Sequence, residues 1–110
     1  MSITCFIRYE IDPFGRQAYE EYARNWGQII PRCGADLIGY FAPYEGSLTT
    51  AYAAYNVDSL ADYEAYRARL AADPAARENL DFARREKFIR VEDRIFLKNA
   101  SAPHAELVKR

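Results

Sequence analysis

The side chains in this sequence that could act on a small molecule are mostly aromatic. Nine tyrosines, six phenylalanines and one tryptophan stand against a single histidine and two cysteines. Hydrolytic and acyl-transfer sites need a nucleophile beside a base, and the one imidazole, His104, sits in the polar C-terminal tail. No GxSxG, P-loop or GxGxxG spacing occurs. Cys5 and Cys33 make no CxxC pair, and with His104 remote from both they cannot assemble a metal-binding set, so no metal and no cofactor is expected. The cysteines read as small buried hydrophobes, with a redox pair as the alternative if the first helix returns its end beside the first strand. Tyrosine joins a large apolar ring to a polar tip, so its excess points to interfaces or to a partly wet pocket. The candidate lining of such a pocket is Tyr9, Tyr22, Trp26, Tyr40 and Tyr55, although an aromatic stripe at these spacings also describes ordinary core.

The elements that must position these residues follow from hydrophobic period. Residues 3 to 11 alternate, with Ile3, Cys5, Ile7, Tyr9 and Ile11 on one face and Thr4, Phe6, Arg8 and Glu10 on the other. Asp12-Pro13-Phe14-Gly15 breaks this strand with turn residues. From Arg16 to Cys33 the period becomes helical, Tyr19, Tyr22, Trp26, Ile29 and Ile30 forming one stripe and Gly34 a stop just beyond, with Pro31 blurring the last turn. Strands over 35 to 42 and 48 to 57 flank a short Gly-containing loop and should pair antiparallel, with Tyr52 and Tyr55 on opposite faces. Asp58 or Ser59 caps a second helix, and Asp73-Pro74 restarts it, placing Leu80 and Ala83 inward. Residues 88 to 98 alternate again, with Ile89, Val91, Ile95 and Leu97 on one face and Arg90, Glu92, Arg94 and Phe96 on the other.

The order β-α-β-β-α-β predicts an α+β fold, a ferredoxin-like sandwich whose four-stranded antiparallel sheet carries both helices on one face. Residues 1–98 form one domain, and 99–110 a mobile tail. The uncovered face then carries Phe6, Arg8, Glu10, Tyr52, Arg90, Glu92, Arg94 and Phe96, the expected interface of a homodimer in which a twin buries the aromatics and pairs the charges. Half of the residues are apolar and 28% charged, an ordinary globular mixture. Fifteen basic residues against sixteen acidic give a formal charge of −1, with no surplus to hold nucleic acid. The apolar runs are short and interrupted, so membrane insertion is not expected. No basic segment and long apolar run open the sequence, which together with the unclustered cysteines suggests the cytoplasm.

The segment Asp58-Ser59-Leu60-Ala61-Asp62-Tyr63-Glu64, continued by Arg67-Ala68-Arg69-Leu70-Ala71-Ala72-Asp73-Pro74, resembles the second-helix signature of the NIPSNAP family. The strand around Tyr9-Glu10-Ile11, the turn at Pro13 and Gly15 and the helix carrying Trp26 are similar to that family's first half, so the resemblance spans residues 3 to 98. It implies a dimeric α/β barrel, in which two sheets pair face to face. Where relatives carry a histidine-containing run, this chain has Ala53-Ala54-Tyr55-Asn56-Val57, which argues against histidine-dependent chemistry. The family has no assigned molecular function. The expectation is therefore a dimeric small-molecule-binding or accessory protein. A cofactor-independent monooxygenase or isomerase acting on small aromatic compounds, or a purely structural or protein-interaction module, are the alternatives.

Overall fold

The computed structural model describes residues 2–101. Four strands, β1 (Ile3–Ile11), β2 (Asp36–Phe41), β3 (Thr50–Val57) and β4 (Ile89–Lys98), alternate with α1 (Arg16–Arg32), α2 (Leu60–Ala72) and α3 (Pro74–Glu86). The sheet is antiparallel throughout, in the order β2-β3-β1-β4. This is the ferredoxin-like α+β topology. The C-terminal segment with His104 lies outside the described residues.

Strand β1 occupies the centre because its period of two is the cleanest in the chain. Cys5, Ile7, Tyr9 and Ile11 are buried on the helix side, while Thr4, Phe6, Arg8 and Glu10 stand half-buried on the other. Against it α1 buries Tyr19, Tyr22, Trp26, Ile29 and Ile30, each worth roughly 1.5–3 kcal/mol when removed from water. The small residues Ala51 and Ala53 of β3 let these rings approach the sheet. Two glycines are required by geometry. A Cβ on Gly15 would stand 2.8 Å from Cβ of Phe88, and Gly34 ends α1 at φ +104, a left-handed conformation. Pro31 is accommodated inside the last turn of α1, as Cys33 and Gly34 return their N–H groups to Ile29 and Pro31 carbonyls.

The second helical region is two helices meeting at Asp73. Ser59 caps α2 by accepting from the Asp62 N–H, and Asp73 caps α3 by accepting from Ala75 and Ala76 while pairing with Arg32 at 2.6 Å. Inside α3 the sequence pattern puts Leu80 and Ala83 inward. The structure instead buries Ala76 and Asn79, leaving Ala83 partly covered and Leu80 39% exposed. The reason is a polar one: Asn79 donates to the Tyr22 carbonyl at 3.1 Å and accepts from the Asn25 amide at 2.8 Å, which rotates α3 so that its Asn side faces α1.

The largest correction concerns β4. Ile11 pairs with Ile89, but Glu10 pairs with Val91, so Arg90 is an extra, bulged residue, held by Asp12 at 2.6 Å. One inserted residue reverses the parity of everything after it. Cys5 opposes Phe96, Ile7 opposes Arg94 and Tyr9 opposes Glu92, so these three β4 side chains stand on the helix side and not beside Phe6. The open face carries Val91, Asp93, Ile95 and Leu97 with Phe6, Arg8, Glu10 and Tyr52. Of the residues placed there by sequence pattern, Glu92, Arg94 and Phe96 therefore move to the other face, and Arg90 sits in the bulge.

Arg32 and the backbone N–H of Ala76 hold the Asp73 carboxyl below its ordinary pKa. A depressed folded-state pKa gives stability that is complete above the unfolded value of about 3.9 and drains away as pH falls through the folded one. Asp73→Ala should lower Tm at pH 7, and the gap to the unmodified chain should close toward pH 2 in thermal melts followed by circular dichroism.

Candidate functional site

Strand β4 is an edge strand whose helix side receives little cover, because α3 packs on α1 and α2 instead of reaching across to it. A cavity of about 220 Å³ remains between the sheet and the helices. Its walls draw on all four strands and all three helices, α3 contributing Arg77 and Leu80. Strands β1, β2 and β3 supply Ile7 and Tyr9, Tyr40 and Tyr55; α1 supplies Tyr22, Trp26 and Ile30; α2 supplies Tyr66 and Arg67; β4 supplies Glu92 and Arg94. The structure thus brings Tyr9, Tyr22, Trp26, Tyr40 and Tyr55 into the wall of one cavity. Sequence reasoning missed Tyr66, Arg67, Arg77, Glu92 and Arg94, the last two because the bulge was invisible and Tyr66 because α2 has a weak apolar stripe.

The rings are organised edge to face. Tyr22 meets Trp26 at 5.8 Å and 87°, Tyr9 at 6.5 Å and 89°, and Phe88 at 5.5 Å and 75°. These are the arrangements that place the positive edge of one ring on the negative face of another. Packing the tyrosines together in the interior has electrical consequences. Burial, reinforced by neighbouring phenols or thiols, pushes the Tyr9, Tyr40, Tyr55, Tyr19 and Tyr66 hydroxyls up from the ordinary tyrosine value, and burial does the same to Tyr22. All six are neutral O–H groups at physiological pH, able to donate. Close by, the buried Trp26 indole N–H points toward the Tyr22 hydroxyl yet has no hydrogen-bond partner of good geometry.

Arg94 is the wall arginine held on both sides by hydrogen bonds. Burial disfavours its charge, but the Tyr63 hydroxyl, accepting from Nη1 at 3.0 Å, and Glu92, accepting from Nη2 at 2.6 Å, more than offset this and hold its pKa up. Tyr63 is itself fixed by the Phe96 ring at 4.7 Å, edge on. Arg67 lies over the face of Tyr63, 5.9 Å from the ring centre.

Cys5 and Cys33 are both free and buried, and burial raises both thiols. They face different partners, Tyr55 for Cys5 and Asp73, at 3.6 Å, for Cys33. Among the described residues no three of His, Cys, Asp and Glu gather as a metal site would require, and no helix is long and apolar enough to cross a membrane.

The topology and the cavity between helices and sheet define a ferredoxin-like α+β domain with an interior aromatic site. The family model of NIPSNAP matches residues 4–103. This chain belongs to the NIPSNAP family. Its structure is similar to that of a NIPSNAP family protein from Agrobacterium tumefaciens, with 26% identity, 92% of this chain and 95% of that chain covered, and a TM-score of 0.75. A second NIPSNAP family protein from the same organism, of unknown function, is 27% identical over 90% of this chain and 88% of that chain, with a TM-score of 0.74. A candidate antibiotic biosynthesis monooxygenase from Nitrosomonas europaea shares the fold at 13% identity, covering 91% of this chain and 99% of that chain, with a TM-score of 0.67. No curated protein matches the sequence.

The shifted tyrosines give a direct test. A folded-state pKa raised above the unfolded value of about 10 means stability that is complete below pH 10 and is lost as pH rises further. The six raised tyrosines should stay un-ionised until the chain unfolds, so tyrosinate absorbance should rise in step with loss of circular dichroism at alkaline pH. Reversible titration of all nine near pH 10 in a folded chain would contradict the packing described.

Proposed function

We propose that this chain is a homodimeric cytoplasmic protein that binds a small aromatic molecule in the cavity between its helices and its sheet. The observation that carries the reading is the cavity itself: about 220 Å³, walled by the rings of Tyr9, Tyr22, Trp26, Tyr40, Tyr55 and Tyr66. An ordinary core closes such a space, because interiors pack with few voids larger than a water molecule. Walls of aromatic faces with a few inward polar groups are what small-ligand sites consist of.

The dimer rests on the open sheet face. Val91, Ile95 and Leu97 of β4 are 42%, 52% and 44% exposed, and across the same face Tyr52 of β3 and Phe41 at the opposite edge are 38% and 53% exposed. A solvated sheet face alternates toward polar residues; this one is apolar around a central ion cluster in which Arg8 holds Glu10 at 2.8 Å and Asp93 at 2.7 Å. Charges already paired within one chain cost less to cover with a second copy than unpaired ones, and a twofold axis lets the same patch serve on both subunits. The two unpaired cysteines fit a reducing compartment.

A second reading is cofactor-independent oxygenation or isomerisation of a phenolic compound. It is favoured by Arg94 and the neutral tyrosine hydroxyls, which together would stabilise a developing phenolate oxygen, and by the fold shared with the monooxygenase candidate noted above.

Sedimentation at micromolar concentration should give twice 12.7 kDa, and Ile95→Asp, which buries a carboxylate in the seam, should give one subunit. A panel of phenols and naphthols should raise Tm and change the fluorescence of Trp26, the only tryptophan. Oxygen uptake with the same panel decides for the second reading; no shift with any compound contradicts both.

A further inference from the structure

We infer that the cavity selects an aromatic acid, a planar molecule of one or two rings bearing a carboxylate or an equivalent anionic oxygen. This deepens the binding reading given above and rests on it.

The size comes first. An apolar cavity of about 150 Å³ holds one benzene ring, so about 220 Å³ admits two fused rings and little more. The flat faces of the tyrosines and of Trp26 favour planar contents over branched ones.

The charge comes next. The cavity is lined by three arginines, Arg67, Arg77 and Arg94, and one acid, Glu92. That local excess is notable in a chain whose formal charge is −1. An adjoining depression shares Tyr22, Leu80 and Glu92 with the cavity and adds Arg84 and Lys87. Arg84 is engaged by Asp81 at 3.3 Å. Among the described residues neither Arg77 nor Lys87 has an acidic partner, so the rim presents uncompensated positive charge to whatever approaches.

Hydrogen bonding agrees. Five tyrosines line the cavity, Tyr9, Tyr22, Tyr40, Tyr55 and Tyr66, and burial keeps each in its O–H form. The guanidinium of Arg94 has five N–H donors, of which Tyr63 and Glu92 take two, leaving three to receive an anionic oxygen. Among the described residues the wall's only carboxylate is Glu92, and it is already paired with Arg94. A cationic ligand would meet three like charges and one occupied acid. An anionic one meets donors throughout. Glu92 therefore does two opposing things: it holds Arg94 in place when the cavity is empty, and it competes with the ligand's own oxygen for the same guanidinium.

The test uses the full chain in its native assembly and three probes of one shape: 2-naphthoate, neutral 2-naphthamide and cationic 2-naphthylmethylammonium, each titrated by calorimetry. The acid should bind about tenfold or more tighter than the amide, as a charge-assisted hydrogen bond implies, and the ammonium should be weakest. Arg94→Gln should bring the acid down to the amide's affinity while leaving the amide where it was, which also shows that the variant is folded. Glu92→Gln should tighten the acid several-fold and leave the amide alone. Equal binding of acid and amide, or preference for the ammonium, overturns the selection of an anion and leaves an aromatic site. Failure of all three probes to bind overturns the inference together with the binding reading beneath it.

Discussion

The pairing of β1 with β4 is the constraint on which the rest depends. A strand's side chains alternate strictly, so the register of a single ladder decides which residues line an interior and which cover an outer face. Here the register is set by one bulge at Arg90, anchored by its ion pair with Asp12. Past that point the ladder places Glu92, Arg94 and Phe96 toward the helices and Val91, Ile95 and Leu97 away from them. Without the extra residue the apolar set would face the helices, the charges would face solvent, and this chain would have neither a cationic cavity wall nor an apolar outer face.

Much of the architecture was legible because local chemistry and global fold agree. The alternation of residues 3 to 11, the three-and-four spacing from Tyr19 to Ile30, the serine cap at Ser59 and the Asp73-Pro74 restart each act over a few residues and each appear where the pattern puts them. Five of the six aromatics of the cavity wall, all but Tyr66, were legible for the same reason, as the inward members of those patterns. Two things were not. A bulge is a one-residue event between strands distant in sequence, and its signal, an arginine able to reach an aspartate across the ladder, has no local signature. Polarity misled as well: the assumption that apolar residues face the helices fails on a sheet with two apolar faces. Leu80 and Asn79 show the same limit in a helix. Two amide hydrogen bonds to α1 outweigh the preference of a leucine for the interior, and no periodicity encodes a partner in another element.

The cavity and the weak cover of β4 have one origin. Because Asn79 ties α3 to α1, the third helix is not free to settle over the edge strand, and the side chains of β4 on that face are left to close the gap themselves. Tyr63 and Phe96 do so at one end by stacking edge on, and Arg94 bridges from the sheet to the Tyr63 hydroxyl. The tyrosine hydroxyls of the wall stay neutral, because burial disfavours the phenolate.

The placement of Phe96 decides this account. Cross-strand nuclear Overhauser contacts in the native chain should connect the Phe96 ring to the Tyr63 ring, and should connect Phe6 to Ile95. Contacts between Phe96 and Phe6 would put β4 in the other parity, turn Arg94 to the outer face, and contradict both the cavity wall and the apolar seam.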